Sequence, residues 1–249
     1  MQCSQCGNPI QDNVAFCSSC GHPVHNQAAA TSEQPKTQTE THPLIEKGTE
    51  ASKNYWDFVV ENLKSPVLTG VKTPREQFSY GYINLLLLAL FFGLGGYFHL
   101  KELSTGFFAP EIPFFETFFT LFFYGAGASL VAAGAILIVV LFLMNASIHF
   151  HDVIARFGAL ATVPMVMMAF YFFTALVALP TLSTFAYLFL LAGLIAGTVI
   201  TLYSFKDEAK ANFDPFYGIM ITFAIFALYL WLTKSVLFEY LFTLFLPSF

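Results

Sequence analysis

The sequence predicts an all-α polytopic membrane protein (five transmembrane helices) with a small N-terminal β-hairpin domain ahead of them. Three observations carry that expectation. Hydrophobic residues fill 56% of the 249 positions and charged residues only 11%, against about 25% charge in an ordinary soluble domain. The apolar excess is confined to the stretch from about Phe78 to the C-terminus, where it falls into five runs near the ~20 residues a bilayer span requires. The four cysteines of the chain all lie within its first 20 residues, in two matched pairs.

Those pairs read Cys3-Ser4-Gln5-Cys6-Gly7 and Cys17-Ser18-Ser19-Cys20-Gly21. Two intervening residues let both sulfurs of a pair face one ion. The following glycine tolerates positive φ in the tight turn whose backbone N–H groups face the thiolates. Ten residues separate Cys6 from Cys17. That suffices for a short hairpin, with Asn8-Pro9 and Asp12-Asn13 as turn signals and Val14-Ala15-Phe16 as the returning strand. Cys3, Cys6, Cys17 and Cys20 are therefore expected to hold one structural Zn2+ in a closed tetrahedral shell, making residues 1–25 a zinc ribbon. The competing reading is two disulfides or free thiols. Disulfides need an oxidising compartment, and no signal peptide is read ahead of Cys3. A fold this small builds little core, so the metal is expected to hold it together. His22 and His25 read as exposed, since four sulfurs complete the shell. Between Met1 and Gln27 there is no Lys or Arg, and Asp12 is the sole acid. Nucleic acid, which needs cations at its phosphates, fits this ribbon poorly, and a protein partner is expected instead.

Residues 26–51 hold almost nothing large and apolar before Leu44-Ile45. They read as a flexible polar linker, whose ~25 residues of coil would reach roughly 25–30 Å. Residues 52–76 read as an amphipathic juxtamembrane helix and connector. Tyr55, Trp56, Val59, Val60 and Leu63 share one side, with Lys53, Asp57, Glu61 and Lys64 on much of the other. Ser52 fits an N-cap, and Pro66 stops the helix. The apolar face lies either in the membrane interface or on the cytosolic ends of the spans, since both bury the same side chains.

The five-span domain occupies 77–249, with spans at about 79–100, 117–143, 157–179, 184–205 and 216–233. The second is long enough to tilt. Leu179-Pro180-Thr181-Leu182-Ser183 makes a tight hairpin between the third and fourth, and Pro164 is the candidate kink in the third. Val236 to Leu246 is apolar but short, either an interfacial helix or an extension of the fifth span. If the spans alternate, Lys53, Lys64, Lys72, Arg75, Arg156, Lys206 and Lys210 fall on one side, with Lys101 and Lys234 on the other. The basic side is the cytosolic one. The N-terminus is then cytosolic and the C-terminus outside the cell membrane, in agreement with reduced thiolates at the amino end.

Polar groups near the spans are few. Asn145, Ser147, His149, His151, Asp152 and Arg156 cluster at the cytosolic end of the second span. On a helix His149, His151 and Asp152 diverge by about 200° and 100° and do not converge on one ion. The segment reads as a polar interface loop with Asp152 and Arg156 an i,i+4 pair. A histidine-based proton or metal site is the alternative. Glu102, Glu111 and Glu116 read with Lys101 as a solvated rim of the first outer loop. Gly93, Gly95 and Gly96, then Gly125, Ser129 and Ala133, then Gly193 and Gly197 allow close helix approach. They serve packing within the chain or, by the same motif, between copies in a homo-oligomer. No H-E-x-x-H, G-x-S-x-G or P-loop occurs, and no catalytic residue is expected.

The order of ribbon, polar linker, amphipathic helix and five spans resembles a family of bacterial zinc-ribbon membrane proteins. Cys3 to Gly21, with Phe16-Cys17 at the second knuckle, carries the ribbon half. About 78 to 246 resembles the Yip-like membrane domain, through Arg156-Phe157-Gly158-Ala159-Leu160 leading to Pro164 and through Lys206-Asp207-Glu208-Ala209-Lys210-Ala211 in the last inner loop. The resemblance brings no catalytic residues with it. The function expected is non-enzymatic: an integral membrane protein that presents a zinc ribbon on the cytosolic side, in a protein-interaction or membrane-organising role. A small transporter or channel with an accessory ribbon is the alternative.

Overall fold

A computed structural model describes residues 2, 5–9, 19–20, 43–104, 111–211 and 214–245, of which 43–51 and 235–245 are described as backbone. The chain divides into two compact units, Met1–Lys47 and Gly48–Phe249. In the first, Gln2 and Pro9 form an antiparallel bridge. Cys6 sits in a turn followed by Gly7 at φ +71°, the left-handed backbone that a residue with a Cβ adopts reluctantly. The remainder of the expected β-hairpin, including Val14-Ala15-Phe16, lies outside the described residues. So do Cys3, Cys17 and the linker residues 26–42.

The described residues of the second unit are built from helices. Helix α1 spans Pro43–Lys64. It begins at Pro43 rather than Ser52, so the last part of the expected linker is helical. Proline suits a helix start because its missing N–H would be unpaired there and its φ is already helical. A short α2 (Pro66–Gly70) and a 3-10 turn (Arg75–Gln77) lead into α3 (Phe78–Leu103). α4 (Phe114–Ile138) passes into a π-turn at Val139–Leu143. Then come α5 (Phe150–Leu160), α6 (Thr162–Leu176), α7 (Pro180–Tyr203) and α8 (Pro215–Phe245). Four of these helical segments are long and apolar enough to cross a membrane, and α5 with α6 makes a fifth if the bent pair counts as one span.

The third span departs from expectation at its start. The third span starts at Phe150 rather than 157 and is broken at Ala161, with a 52° bend between α5 and α6. Pro164 explains the break: it offers no N–H, and its ring crowds the carbonyl of Leu160, four residues earlier. α8 runs on without interruption to Phe245, so the apolar tail continues the same helix as the fifth candidate span. Its 31 residues measure about 46 Å at 1.5 Å per residue.

α3 is the centre of the unit, packed against α4, α5 and α6, while α7 packs on α6 and α8 on α4. Small residues set these distances. Gly81 of α3 and Gly158 of α5 meet backbone to backbone. A Cβ on Gly158 would overlap the Gly81 Cα, and one on Gly81 would overlap the Ile154 carbonyl. The Gly193 and Gly197 pair is likewise used inside the chain. A Cβ at Gly193 would lie 3.2 Å from Pro164 Cγ, and one at Gly197 3.7 Å from the Leu160 oxygen, so α7 lies against the bend. Two buried clusters flank the α3–α5 crossing. One includes Leu85, Ile136, Val140, Ile154, Phe157 and Phe205; the other includes Phe58, Val59, Leu88, Met168 and Leu190.

Gly158→Ala is expected to destabilise the unit by about 1–3 kcal/mol, as overpacking of a close contact does. Gly134→Ala, whose new Cβ meets nothing within 4 Å, is expected to leave stability unchanged or raise it by up to ~1 kcal/mol. Thermal unfolding of the two variants in the same detergent checks the contrast. Equal melting temperatures would contradict the crossing.

Candidate functional site

Cys6 and Cys20, the two expected zinc ligands among the described residues, are both exposed and sit in turns. A turn, an exposed sulfur and the left-handed Gly7 suit a metal knuckle, and four thiolates are a donor set that zinc accepts. Cys3 and Cys17 fall outside the described residues. Among the described residues, no three His, Cys, Asp or Glu side chains gather closely enough to hold an ion. The histidine-based alternative at 149–152 therefore lacks a converging ligand set.

What that segment does instead is structural. The Asp152 carboxylate accepts the backbone N–H of His149 at 2.7 Å, and the His149 imidazole lies 3.7 Å from the same oxygen. Asp152 thus satisfies one unpaired donor at the start of α5 and meets the positive end of its dipole. His151 turns elsewhere, its ring 4.4 Å from Phe78 and 6.1 Å from Tyr82.

Arg156 does not pair with Asp152 as the i,i+4 spacing suggested. It donates to the Ser204 carbonyl at 2.7 Å and to Glu208 Oε1 at 2.5 Å, with its guanidinium 4.2 Å from the centre of the Phe205 ring. The end of α7 carries carbonyls without helical donors, and a guanidinium answers several at once. Lys210 and Ala211 donate their backbone N–H groups to the Met144 carbonyl at 3.1 and 3.2 Å, and Lys210 Nζ reaches Ser147 Oγ at 2.9 Å. The loops after α4 and after α7 are therefore bonded into one end of the helical unit.

Asn84 is the functional-looking residue that the sequence reading passed over. It is 0% exposed in the second turn of an apolar helix. Its Nδ2 donates to the Gly158 carbonyl at 2.9 Å and to Thr162 Oγ1 at 2.8 Å, and its Oδ1 accepts the Tyr55 hydroxyl at 2.6 Å. Thr162 in turn donates to the Ala159 carbonyl at 2.7 Å. Both amide N–H donors and one of the two carbonyl lone pairs are used. The network ties α1, α3 and the α5–α6 break together. The available signal was one amide within an apolar run, where an unpaired polar group is costly and a partner must exist.

α1 docks through Tyr55, Phe58, Val59 and Asn62. Tyr55 and Phe58 rings pack on Tyr80, with centroids 5.9 and 5.1 Å away. Trp56, from the expected buried face, stays 63% exposed. The apolar stripe is thus rotated from the expected one and lies on the spans, leaving Trp56 outward. Burial pushes the Tyr55 phenol up to about 12, since the phenolate would lose its water.

Glu102 also departs from its expected place. Glu111 and Glu116 are exposed, as a solvated rim requires. Glu102 Oε2 and His99 Nδ1, one turn apart on α3, are buried with no hydrogen-bond partner among the described residues.

A zinc-ribbon domain family matches residues 2–24. A second family, described as a domain of unknown function (DUF6574), matches residues 47–243, most of the chain, and the chain belongs to it. The chain is similar to "Uncharacterized protein YebC" of Bacillus subtilis (strain 168), with 26% identity over 197 residues, 77% of this chain and 73% of that one. No solved structure matches.

Two tests follow from this geometry. The Tyr55 phenol has its folded pKa above the ordinary 10.0, so the stability it contributes is complete below that pH. It is lost as the pH rises toward about 12. The fluorescence of neighbouring Trp56 should report α1 detaching in that window, and Tyr55→Phe should remove the transition. A double-mutant cycle should give an Arg156–Glu208 coupling of about 0.5–3 kcal/mol and none for Arg156–Asp152. The reverse pattern would restore the i,i+4 pair.

Proposed function

We propose that this DUF6574 member is a non-enzymatic integral membrane protein that presents a structural zinc ribbon to a cytosolic protein partner. In this reading Cys3, Cys6, Cys17 and Cys20 hold one Zn2+ that stabilises the ribbon. The protein would act by interaction or by organising the membrane around it. The helical unit would cross the cell membrane five times in a Yip-like arrangement, with the N-terminus cytosolic and the C-terminus outside. A homo-oligomer remains compatible with this arrangement.

One observation carries the orientation. Arg156, Lys206 and Lys210 lie at the end where the loops after α4 and α7 are bonded together. Lys72 and Arg75 sit just ahead of α3, at the end where α3 meets α5. An excess of basic residues at one end of a helical bundle favours the cytosol for that end, and the cytosol also keeps thiols reduced. The exposed Trp56 on docked α1 suits a headgroup-level position next to those residues. The transporter or channel alternative drew on the 149–156 cluster. There Asp152 caps α5 and Arg156 binds the end of α7, which favours the non-transporting reading.

Since the chain has no cysteine beyond the ribbon, a background with all four replaced by serine permits clean thiol mapping. Ser147→Cys should resist an impermeant maleimide in intact cells and react after permeabilisation, while Glu111→Cys should react in both. Labelling of Ser147→Cys from outside would reverse the orientation. In the unmodified chain one zinc per protein is expected, lost in Cys6→Ser. Partners that co-purify equally with a ribbon-deleted form would overturn the role given to the ribbon.

A further inference from the structure

We propose that a cavity among α3, α4, α5, α6, α7 and α8 is a binding site for the hydrocarbon chain of a membrane lipid. The inference rests on the membrane reading above. The cavity holds about 420 Å³, within the range of about 300–1,000 Å³ seen for small-ligand pockets. Its lining comes from the middle of the helices: Leu88 and Phe92 of α3, Ala128 and Ala132 of α4, and Leu194 and Thr198 of α7 are representative.

The lining repels water. Ser129, Thr198 and Thr222 are its hydroxyl-bearing aliphatic residues. Each donates back to its own helix, to the carbonyls of Gly125, Leu194 and Gly218 at 2.9, 2.8 and 2.9 Å. Tyr124 and Tyr187 pack ring against ring with Tyr229 and Tyr171. A buried water needs two to four polar partners, whereas apolar cavities stay dry and take apolar guests. The three aliphatic hydroxyls of the lining are thus committed to their own helices.

The cavity also has a mouth. Leu191, Ile195 and Leu230 line it and are 39%, 53% and 39% exposed on the outer surface. It therefore opens between α7 and α8, onto a face that also exposes Leu188. Within a bilayer the medium at that opening is lipid hydrocarbon. A partner's transmembrane helix is too large, because one turn about 10 Å across and 5.4 Å tall already displaces about 420 Å³. A single flexible alkyl chain, entering sideways from the surrounding lipid, fits both the volume and the chemistry.

The test uses the full chain in nanodiscs of phosphatidylcholine whose acyl chain carries a mid-chain diazirine, with photo-adducts mapped by peptide mass spectrometry. Adducts are expected at Ala128, Ala132, Leu194 and Thr198 inside the cavity, as well as at the outward Phe123 and Phe189. Ala132→Phe should lower the inner adducts several-fold while leaving the outer ones unchanged. Thr198→Leu, a smaller filling of the facing wall, should lower them in the same direction, so the result does not hang on the folding of one variant. Outer labelling with unlabelled inner positions in the unmodified chain would overturn the site and leave the membrane reading intact. Inner labelling that neither filling reduces would also overturn the site. No labelling at any of these helices would overturn the membrane reading and the site together.

Discussion

Asn84 sits where the apolar interior leaves it no water, and its amide is answered from three directions. Tyr55 comes from α1, while the Gly158 carbonyl and the Thr162 hydroxyl come from either side of a break. The amide reaches them because Gly81, one turn before it, lets α3 and α5 touch backbone to backbone at Gly158. The Pro164 bend contributes as well, by setting Thr162 at the start of a new helix beside the same point. Interhelical polar contacts of this kind contribute about 0.6–2 kcal/mol each in an apolar medium. The node is modest in energy. Its importance is geometric, since it fixes where α1 lies on the spans.

From that node outward the unit divides by how tightly it is bonded. The end bearing Arg156 and Lys210 is laced by interhelical hydrogen bonds that join α5 to the end of α7 and one loop to another. Mid-helix the packing changes. Hydroxyl groups turn back on their own helices, and α4, α7 and α8 leave an apolar space that opens to the surface. A hydrogen-bonded end and an apolar middle fit the proposed arrangement, in which α1 is held in place and the helices face lipid.

The sequence revealed what depends on composition and missed what depends on angle. Five apolar runs were legible from length alone, and Pro164 marked the bend because its chemistry is local. The third span began earlier than expected because Phe150 to Arg156, despite its His, Asp and Arg, still forms a helix once Asp152 caps it. Arg156 was assigned to Asp152 by spacing along one helix, whereas its partner arrives from a segment some fifty positions later. No single-helix rule contains that. The face of α1 was read one step out of rotation because Trp56 is the larger apolar group, yet Asn62 and Phe58 have the better-placed partners. Asn84 was hidden by its neighbours, although one amide among leucines was itself the clue. At the amino end the cysteine spacing was legible and agrees with the zinc-ribbon family match over 2–24.

The account turns on whether Asn84 fastens α1 to the helical unit. Hydrogen exchange on the full chain, comparing the unmodified protein with Asn84→Leu, measures this directly. The expected result is a loss of amide protection along α1 from Tyr55 to Leu63, with protection in α4 and α7 unchanged. Full protection of α1 in the variant would contradict the account and leave the aromatic contacts with Tyr80 as sufficient by themselves.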